Sequence, residues 1–540
     1  MILIHPPVVK PSEPPPGIAK LAGALHRHGI KCTILDANLE GILSLLESPP
    51  TLPDKWTVRA IRNRHSNLSS LRNAEGYLNF DQYKRSIADT NRLLGVSGAS
   101  MTTSTADPEI DLSSGRMPKP NAAWSSVHLS LGNFQDESLS PVRSADLVKA
   151  AEAPQRNPFY PYFKRRLTEL LETECPSVVG FSLNFLSQAL CTFSMLGFLR
   201  QELPELTLVL GGGLTTSWMR RPGWRNPFGS LVDHMIAGQG EHEMLSLLGV
   251  KAPADIHYTP DYRALPLSDY LAPGTILPYS ASSGCYWNKC AFCPERAEGN
   301  PYIPISVHQV TRDLRILTES TKPVLIHLLD NAVSPALMKA LCLEPPGVPW
   351  YGFVRLTRHF ADLDFCMALR RSGCVMLKLG LESGAQSVLD HEQKGVELAL
   401  ASSALHTLKK AGIATYIYLL FGTPSESLAE ARKTLEFTVQ HAEMIDFLNL
   451  AVFNLPVHGP ESRELEIHAL YEGDLSLYTG FVHPGGWNRG QVRQFLDKEF
   501  KRHPAIAPIL RKDPPIFTSN HAAFFCAGSA ESIFRFGRFA

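Results

Sequence analysis

Between residues 279 and 453 the chain repeats one pattern, a short apolar run followed by a stretch of helical periodicity. The runs are Val324–Leu329, Trp350–Arg355, Val375–Gly380, Thr415–Phe421 and Phe447–Phe453, and another leads into a cysteine-rich loop after Tyr279. Strands that alternate with helices lie parallel, because each helix carries the chain back to where the next strand begins. One helix start is well marked: Ser427 and Glu430 stand at capping-box spacing, and Leu428, Ala431 and Leu435 form an apolar stripe. Roughly six such units suffice for an open or partial barrel, whose functional groups gather at the carboxyl ends of its strands.

The N-terminal part carries a second, interrupted series. Ile2–Ile4 is strand-like and stops at Pro6-Pro7; Ile18, Leu21, Ala22 and Leu25 have helical spacing, and Lys31–Leu35 is strand-like again. The pattern resumes at Val178–Ser182, continues through an apolar helix to about Leu203 and the run Leu206–Leu210, and ends with His234–Ala237. Gly211-Gly212-Gly213 and Gly238-Gln239-Gly240-Glu241 follow strand ends. Glycines there either make tight turns or let a ligand approach the backbone along the crevice of an open parallel sheet. Ser182, Gly212 and Gly238 are the candidates for that binding edge.

The expected fold class is α/β: a Rossmann-like parallel-sheet domain (residues 1–48 and 161–250), then a partial (β/α)6 barrel (277–460) and a small C-terminal appendage (461–540). Residues 49–160 read as an insertion, helical around Trp56–Leu94 and flexible from Ala99 to Pro120, where Ser, Thr and Pro accumulate. Residues 251–276, with Pro260, Pro266 and Pro273, read as a linker.

Lys+Arg and Asp+Glu number 52 each, so no overall positive field favours nucleic acid or an anionic membrane. The apolar stretch Leu183–Leu199 is broken by Ser187, Gln188, Thr192 and Ser194, which suits a packed helix and not a membrane span. The start of the chain lacks signal-peptide character. Seven of the ten cysteines are scattered, which suggests a reducing, cytoplasmic location.

The other three fall within nine residues, as Cys285, Cys290 and Cys293. A structural zinc site would want a fourth Cys or His, often as part of a second pair. Plain core cysteines would not sit beside Asn288 and Lys289. Three thiolates on one loop can also hold three corners of an iron–sulfur cluster and leave one iron open.

The loop, with Ser283-Gly284-Cys285 and Cys290-Ala291-Phe292-Cys293-Pro294, resembles that of the radical S-adenosylmethionine (SAM) enzymes. The family usually places three residues and then two between its cysteines; here there are four and then two. Gly380-Leu381-Glu382-Ser383-Gly384 with Leu389-Asp390 and Lys394-Gly395, and Gly422-Thr423-Pro424-Ser425-Glu426, resemble segments of the cobalamin-associated members. The N-terminal series is similar to their cobalamin-binding domain. The resemblance covers roughly residues 1–48 and 165–460.

It implies an enzyme with a [4Fe-4S] cluster on Cys285, Cys290 and Cys293. SAM would be chelated at the open iron and cleaved by one electron, and the resulting radical would act on a small-molecule or peptide substrate. An electron donor such as flavodoxin or ferredoxin is implied, and cobalamin is a possible second cofactor, with methyl transfer or a rearrangement as the reaction. Carried over by position, Glu382 would meet the ribose hydroxyls, Asp330 and Asn331 the SAM amino group, Arg355 its carboxylate and Gly422 the adenine, while Phe292 would shield the cluster. Each has a plainer reading as a cap, turn, ion pair or packing residue. Asp36-Ala37-Asn38-Leu39-Glu40-Gly41 has Asn where a cobalt-ligating motif would have His, and reads as a turn. His5, His327 and His458 near strand ends read as packed residues, as does Cys526. A binding protein that senses cobalamin or redox state is the alternative, although it would not need the Glu382 and Gly422 segments.

Overall fold

A computed structural model describes residues 1–49, 54–101, 127–253, 256–515 and 521–525. Cys526 and residues 102–120 of the segment expected to be flexible lie outside the described residues. Contacts divide the chain into two compact units, Met1–Ala272 with Glu472–Leu475, and Pro273–Tyr471 with Ser476–Ala540.

In the first unit the strands are β1 (Ile2–His5), β2 (Thr33–Asp36), the hairpin β3 (Val127–Ser130) and β4 (Asn133–Asp136), then β5 (Val178–Ser182), β6 (Thr207–Gly211) and β7 (His234–Met235). Five form one parallel sheet in the order β2-β1-β5-β6-β7. The chain leaves β1 toward one edge and returns at β5 to build toward the other. The strand order therefore reverses between β1 and β5, which is where open α/β sheets form their crevice. Helix Leu186–Glu202 is buried without a break from Gln188 to Leu199, so its weak amphipathicity reflects a central position rather than a membrane. Among the described residues no helix is long and apolar enough to cross a membrane.

Helices Lys55–Arg72 and Phe80–Met101 of the insertion pack on each other, and the β3–β4 hairpin packs on the second. The proline-containing stretch after residue 256 is also packed down. Asp261 N–H donates to the Ala19 carbonyl at 2.8 Å, and a side chain on Gly23 would collide with the Thr259 carbonyl oxygen.

One expectation is corrected here. Asp36–Gly41 is not a turn but the start of helix Ala37–Glu47. Asp36 caps it, accepting from Leu39 N–H at 2.9 Å, and also accepts from the Tyr270 hydroxyl at 2.6 Å. An aspartate ahead of a good helix former is an N-cap signal as much as a turn signal, and Leu39 and Ile42 supply the buried face.

The second unit has β8 (Ile276–Tyr279), a short pair β9 (Ser282–Ser283) and β10 (Ile303–Pro304), then β11 (Leu325–Leu328), β12 (Trp350–Val354), β13 (Cys374–Glu382), β14 (Ala414–Phe421) and β15 (Phe447–Val452). Six run parallel in sequential order, β8-β11-β12-β13-β14-β15, with helices between, which is the partial (β/α)6 barrel. The capping box of Ser427 with Glu430 is present. Three short strands, β16 (Leu455–Pro456), β17 (Ile467–His468) and β18 (Tyr478–Phe481), form an antiparallel sheet that joins the end of the barrel segment to the appendage. Helix Arg489–Phe495 follows.

Candidate active site

The three cysteines occupy the loop after β9, at the carboxyl end of the first barrel strand. Two constraints bring it there. Gly284 has φ +69°, and a side chain on it would strike the Pro301 carbonyl oxygen at 2.3 Å. Asp330, just beyond β11, accepts from Ser282 Oγ at 2.5 Å and from Ala281 N–H at 3.1 Å. Both its oxygens are used to hold the approach to the loop. Burial raises its carboxyl above the usual range, and the bond from Ser282 works against that rise. Asn331 is exposed and hydrogen-bonds Glu295.

The loop is fastened on its other side by residues 392–395. Ala291 N–H donates to the Glu392 carbonyl at 2.9 Å and Trp287 Nε1 to that of Gln393 at 3.0 Å. The Trp287 ring lies against Gly395, where an added Cβ would come within 2.3 Å of it. Asn288 takes a left-handed conformation, φ +44°. The four-residue spacing is thus accommodated by one left-handed asparagine and a tryptophan turned onto a glycine.

Arg355, just beyond β12, joins these parts. Its guanidinium is 4.1 Å from the centre of the Trp287 ring; Nη1 is 3.8 Å from Cys290 Sγ, and Nη2 donates to the Lys394 carbonyl. Lys394 Nζ is 2.7 Å from Glu382 Oε1 and 5.6 Å from the centre of the Phe292 ring. Glu382 ends β13 at a register shift and has φ +68°. Two residues earlier, a Cβ on Gly380 would lie 2.6 Å from Glu382 Oε1 and 2.7 Å from Lys394 Nζ, so the ion pair occupies the space that a side chain there would fill.

Cys290, Arg355, Glu382 and Phe292 are therefore joined through Lys394, and Cys293 N–H donates to the Cys290 carbonyl at 3.3 Å. All three cysteines are free thiols. Burial raises the Cys293 thiol to about 11 and also raises Cys290, whose proton Lys394 and Arg355 act to loosen. Among the described residues no three His, Cys, Asp or Glu side chains converge as they would on a single metal ion. Three thiols on one loop with positive charge beside them suit a larger group, a cluster that needs its ligands as thiolates.

Gly422 follows β14 with φ +81°, and its N–H donates to Glu426 Oε2 at 2.5 Å. Trp487 Nε1 donates to the same oxygen at 3.0 Å. Burial raises Glu426 to about 7. His483 accepts at Nδ1 from Gly485 N–H (3.1 Å) and Trp487 N–H (3.2 Å), leaving Nε2–H to donate to the Thr423 carbonyl at 2.9 Å. The imidazole is therefore neutral and its tautomer is set by its neighbours. Lys394 and Glu426 lie inside the quoted motifs; Trp287 stands in the cysteine loop itself. No periodicity or motif marks His483 and Trp487.

In the first unit, Ser182 and Gly212 meet around residues 183 and 184. Asn184 Nδ2 donates to Ser182 Oγ at 3.1 Å, and Gly213 N–H donates to Asn184 Oδ1 at 2.9 Å. Gly212 has φ +104°, and a Cβ on it would strike the Leu183 carbonyl oxygen at 2.4 Å. Gly238 belongs to the next strand end, its N–H donating to Thr216 Oγ1 at 2.9 Å. At this edge Phe185 is 54% exposed, and His5, at the end of β1, is buried with no hydrogen-bond partner for Nδ1. Asn38 Oδ1 accepts from Val9 N–H at 2.9 Å, so it ties down the loop after β1.

No family model matches the chain. A stretch of 214 residues, 38% of this chain, is 26% identical to an uncharacterised methyltransferase of Pyrococcus horikoshii and spans 44% of that relative, less than half its length. Among solved structures, the cobalamin-dependent radical SAM enzyme OxsB, with aqua-cobalamin and SAM bound, is 16% identical and covers 62% of this chain and 60% of its own, with a TM-score of 0.46. The radical SAM methyltransferase TsrM of Kitasatospora setae, with tryptophan and a SAM analogue bound, is 13% identical, covers 96% of this chain and 89% of its own, and has a TM-score of 0.51. From the N-terminal parallel sheet to the appendage, the chain has the fold of that radical SAM methyltransferase.

Proposed function

We propose that the chain is a radical SAM enzyme that transfers a methyl group, with a [4Fe-4S] cluster on Cys285, Cys290 and Cys293 and a corrinoid on the β1–β5 edge of the N-terminal sheet. The observation that carries this reading is the run of contacts from Cys290 through Arg355 and Lys394 to Glu382 at the strand ends of a partial barrel. The Pyrococcus relative is named a methyltransferase, and TsrM is named a radical SAM methyltransferase. When bound, the cluster supplies the electron for SAM cleavage and the corrinoid supplies a methyl carrier.

Arg355 orients Cys290 and places a fixed positive charge beside the thiolates. Glu382, held by Lys394, offers its second oxygen to hydroxyl donors such as those of a ribose. Phe292 keeps water from the cysteines, and Asp330 holds the strand pair that delivers the loop. At the N-terminal edge, the unpartnered Nδ1 of His5, the exposed Phe185 and the glycine-lined turn at Gly212 suit a large ligand with apolar and polar faces. Asn38 serves this edge by accepting from Val9 N–H and so holding the loop after β1.

The test is anaerobic reconstitution with iron, sulfide, SAM and hydroxocobalamin. Formation of 5′-deoxyadenosine or of S-adenosylhomocysteine, abolished in Cys290→Ala, is expected, together with corrinoid absorbance that survives desalting. A cluster whose EPR spectrum ignores SAM would overturn the enzyme reading. Loss of the corrinoid on desalting would leave SAM chemistry without the methyl carrier.

A further inference from the structure

A cavity of about 210 Å³ lies beside Gly422, between the last barrel strand ends and the appendage. Its walls include Phe453, Phe481 and Trp487, and Arg489 and Thr479 also line it. Phe453 and Phe481 meet edge to face at 5.8 Å. Gly480 gives the cavity a smooth side, because His468 lies against it where a Cβ would come within 2.4 Å of Nε2. A cavity of about 150 Å³ can hold benzene, whereas drug-sized ligands need roughly 300 Å³ or more. The space therefore suits one ring, or a small fused pair, and not a whole large ligand.

Arg489 gives the cavity its chemistry. Its Nη1 donates to the Phe453 carbonyl at 2.6 Å and to Asn454 Oδ1 at 2.7 Å, which fixes the guanidinium at the wall. Both partners are neutral, and among the described residues no carboxylate forms an ion pair with Arg489. Burial and the neighbouring Arg493 both disfavour its charged form. A half-buried guanidinium held in place by neutral acceptors is an unspent anion site. Aromatic walls favour a ring stacked or set edge-on between them.

We infer that this cavity binds the ring of an aromatic or heteroaromatic carboxylic acid, with the acid group on Arg489. Assigning that ring to the substrate rests on the reaction proposed above, whereas the binding itself does not. The ligand is selected mostly by parts of the chain distant in sequence from the cysteine loop, and Gly422, which follows β14, lines one side of the cavity.

The experiment is calorimetric titration of the full-length chain, without cluster, with phenylacetate and with benzylamine. Phenylacetate should saturate one site, and benzylamine should bind at least about tenfold more weakly, as expected when a charge-assisted bond is replaced by repulsion. Arg489→Gln should remove this preference and Arg489→Lys should keep most of it. Thr479→Phe, which puts a ring into the cavity at the cost of the Thr479 hydroxyl's bond to the His468 carbonyl, should abolish binding while the chain still unfolds in one cooperative melt. Absence of saturable phenylacetate binding, equal binding of acid and amine, or an undiminished preference in Arg489→Gln would overturn the inference. So would displacement of phenylacetate by SAM or adenosine, which would make the cavity part of the cofactor site. Phenylacetate binding in a chain that makes no product from SAM would overturn the proposed reaction and support the cavity.

Discussion

Arg355 and Cys290 meet inside the barrel mouth, Nη1 to Sγ at 3.8 Å, while the other arm of the same guanidinium holds the Lys394 carbonyl. One buried side chain therefore sets both the cysteine loop and the segment after Glu392. Arg355→Leu leaves the Lys394 carbonyl and Cys290 without their donor and removes the plane against the Trp287 ring. A loss of about 2–4 kcal/mol is expected. Urea denaturation of the cluster-free chain measures it, and a loss below about 0.5 kcal/mol would show that these contacts contribute little.

The Glu382–Lys394 pair is largely withdrawn from solvent, with the side chains 15% and 5% exposed. Lys394→Met should cost about 3 kcal/mol or more, because it leaves a buried carboxylate uncompensated. In the double variant Glu382→Gln/Lys394→Met most of that loss should return. A double-mutant cycle on unfolding free energies should give a coupling of about 1–3 kcal/mol, and a coupling near zero would mean that the two groups act separately.

Gly395 has φ +64° and no room for a Cβ beneath the Trp287 ring. Gly395→Ala should destabilise the chain by about 2–3 kcal/mol through backbone strain and overpacking together. Trp287→Leu in the same chain should recover the packing share and not the backbone share. Thermal melts of the two single variants and the double variant separate the two.

Glu426 is buried, and its folded value near 7 lies above the ordinary 4.5 of a glutamate. The folded state therefore prefers the protonated form. Its contribution to stability is full below about pH 4.5 and is lost as the pH rises through 7, reaching about 3 kcal/mol across the window. Glu426→Gln should flatten the stability profile between about pH 5 and 7.5. Denaturant midpoints across that range test this, and an unchanged slope would place the titration elsewhere.

Most of the barrel was legible because its strands are buried and set apart by helices. Val375–Gly380 and Thr415–Phe421 reappear as parts of β13 and β14 with their ends shifted by at most two residues. The extension of β13 to Glu382 was not legible: the strand passes through a register shift and a left-handed residue that apolar patterning does not encode. Crowding of thiols made Cys285, Cys290 and Cys293 visible. Arg355 was visible only as a strand-end cation, and its grip on Cys290 and Lys394 depends on loops that no local pattern relates. Asp36 was misread because Asp serves turns and N-caps equally well, and only the buried face of the following helix decides between them. No role was legible for His483 or Trp487, since their partners Thr423 and Glu426 stand about sixty residues away from this less regular stretch.

The neutral imidazole of His483 has a consequence for how such a chain diversifies. It fastens the appendage to the Gly422 segment through main-chain groups alone, Thr423, Gly485 and Trp487. Substitutions among residues 468–492 other than His483 and Trp487 can therefore reshape the wall of the neighbouring cavity while the fastening and the strand ends stay as they are. The cysteine loop and most of the cavity wall are carried by separate stretches of one polypeptide, so new molecular preferences can be acquired without rebuilding the barrel mouth.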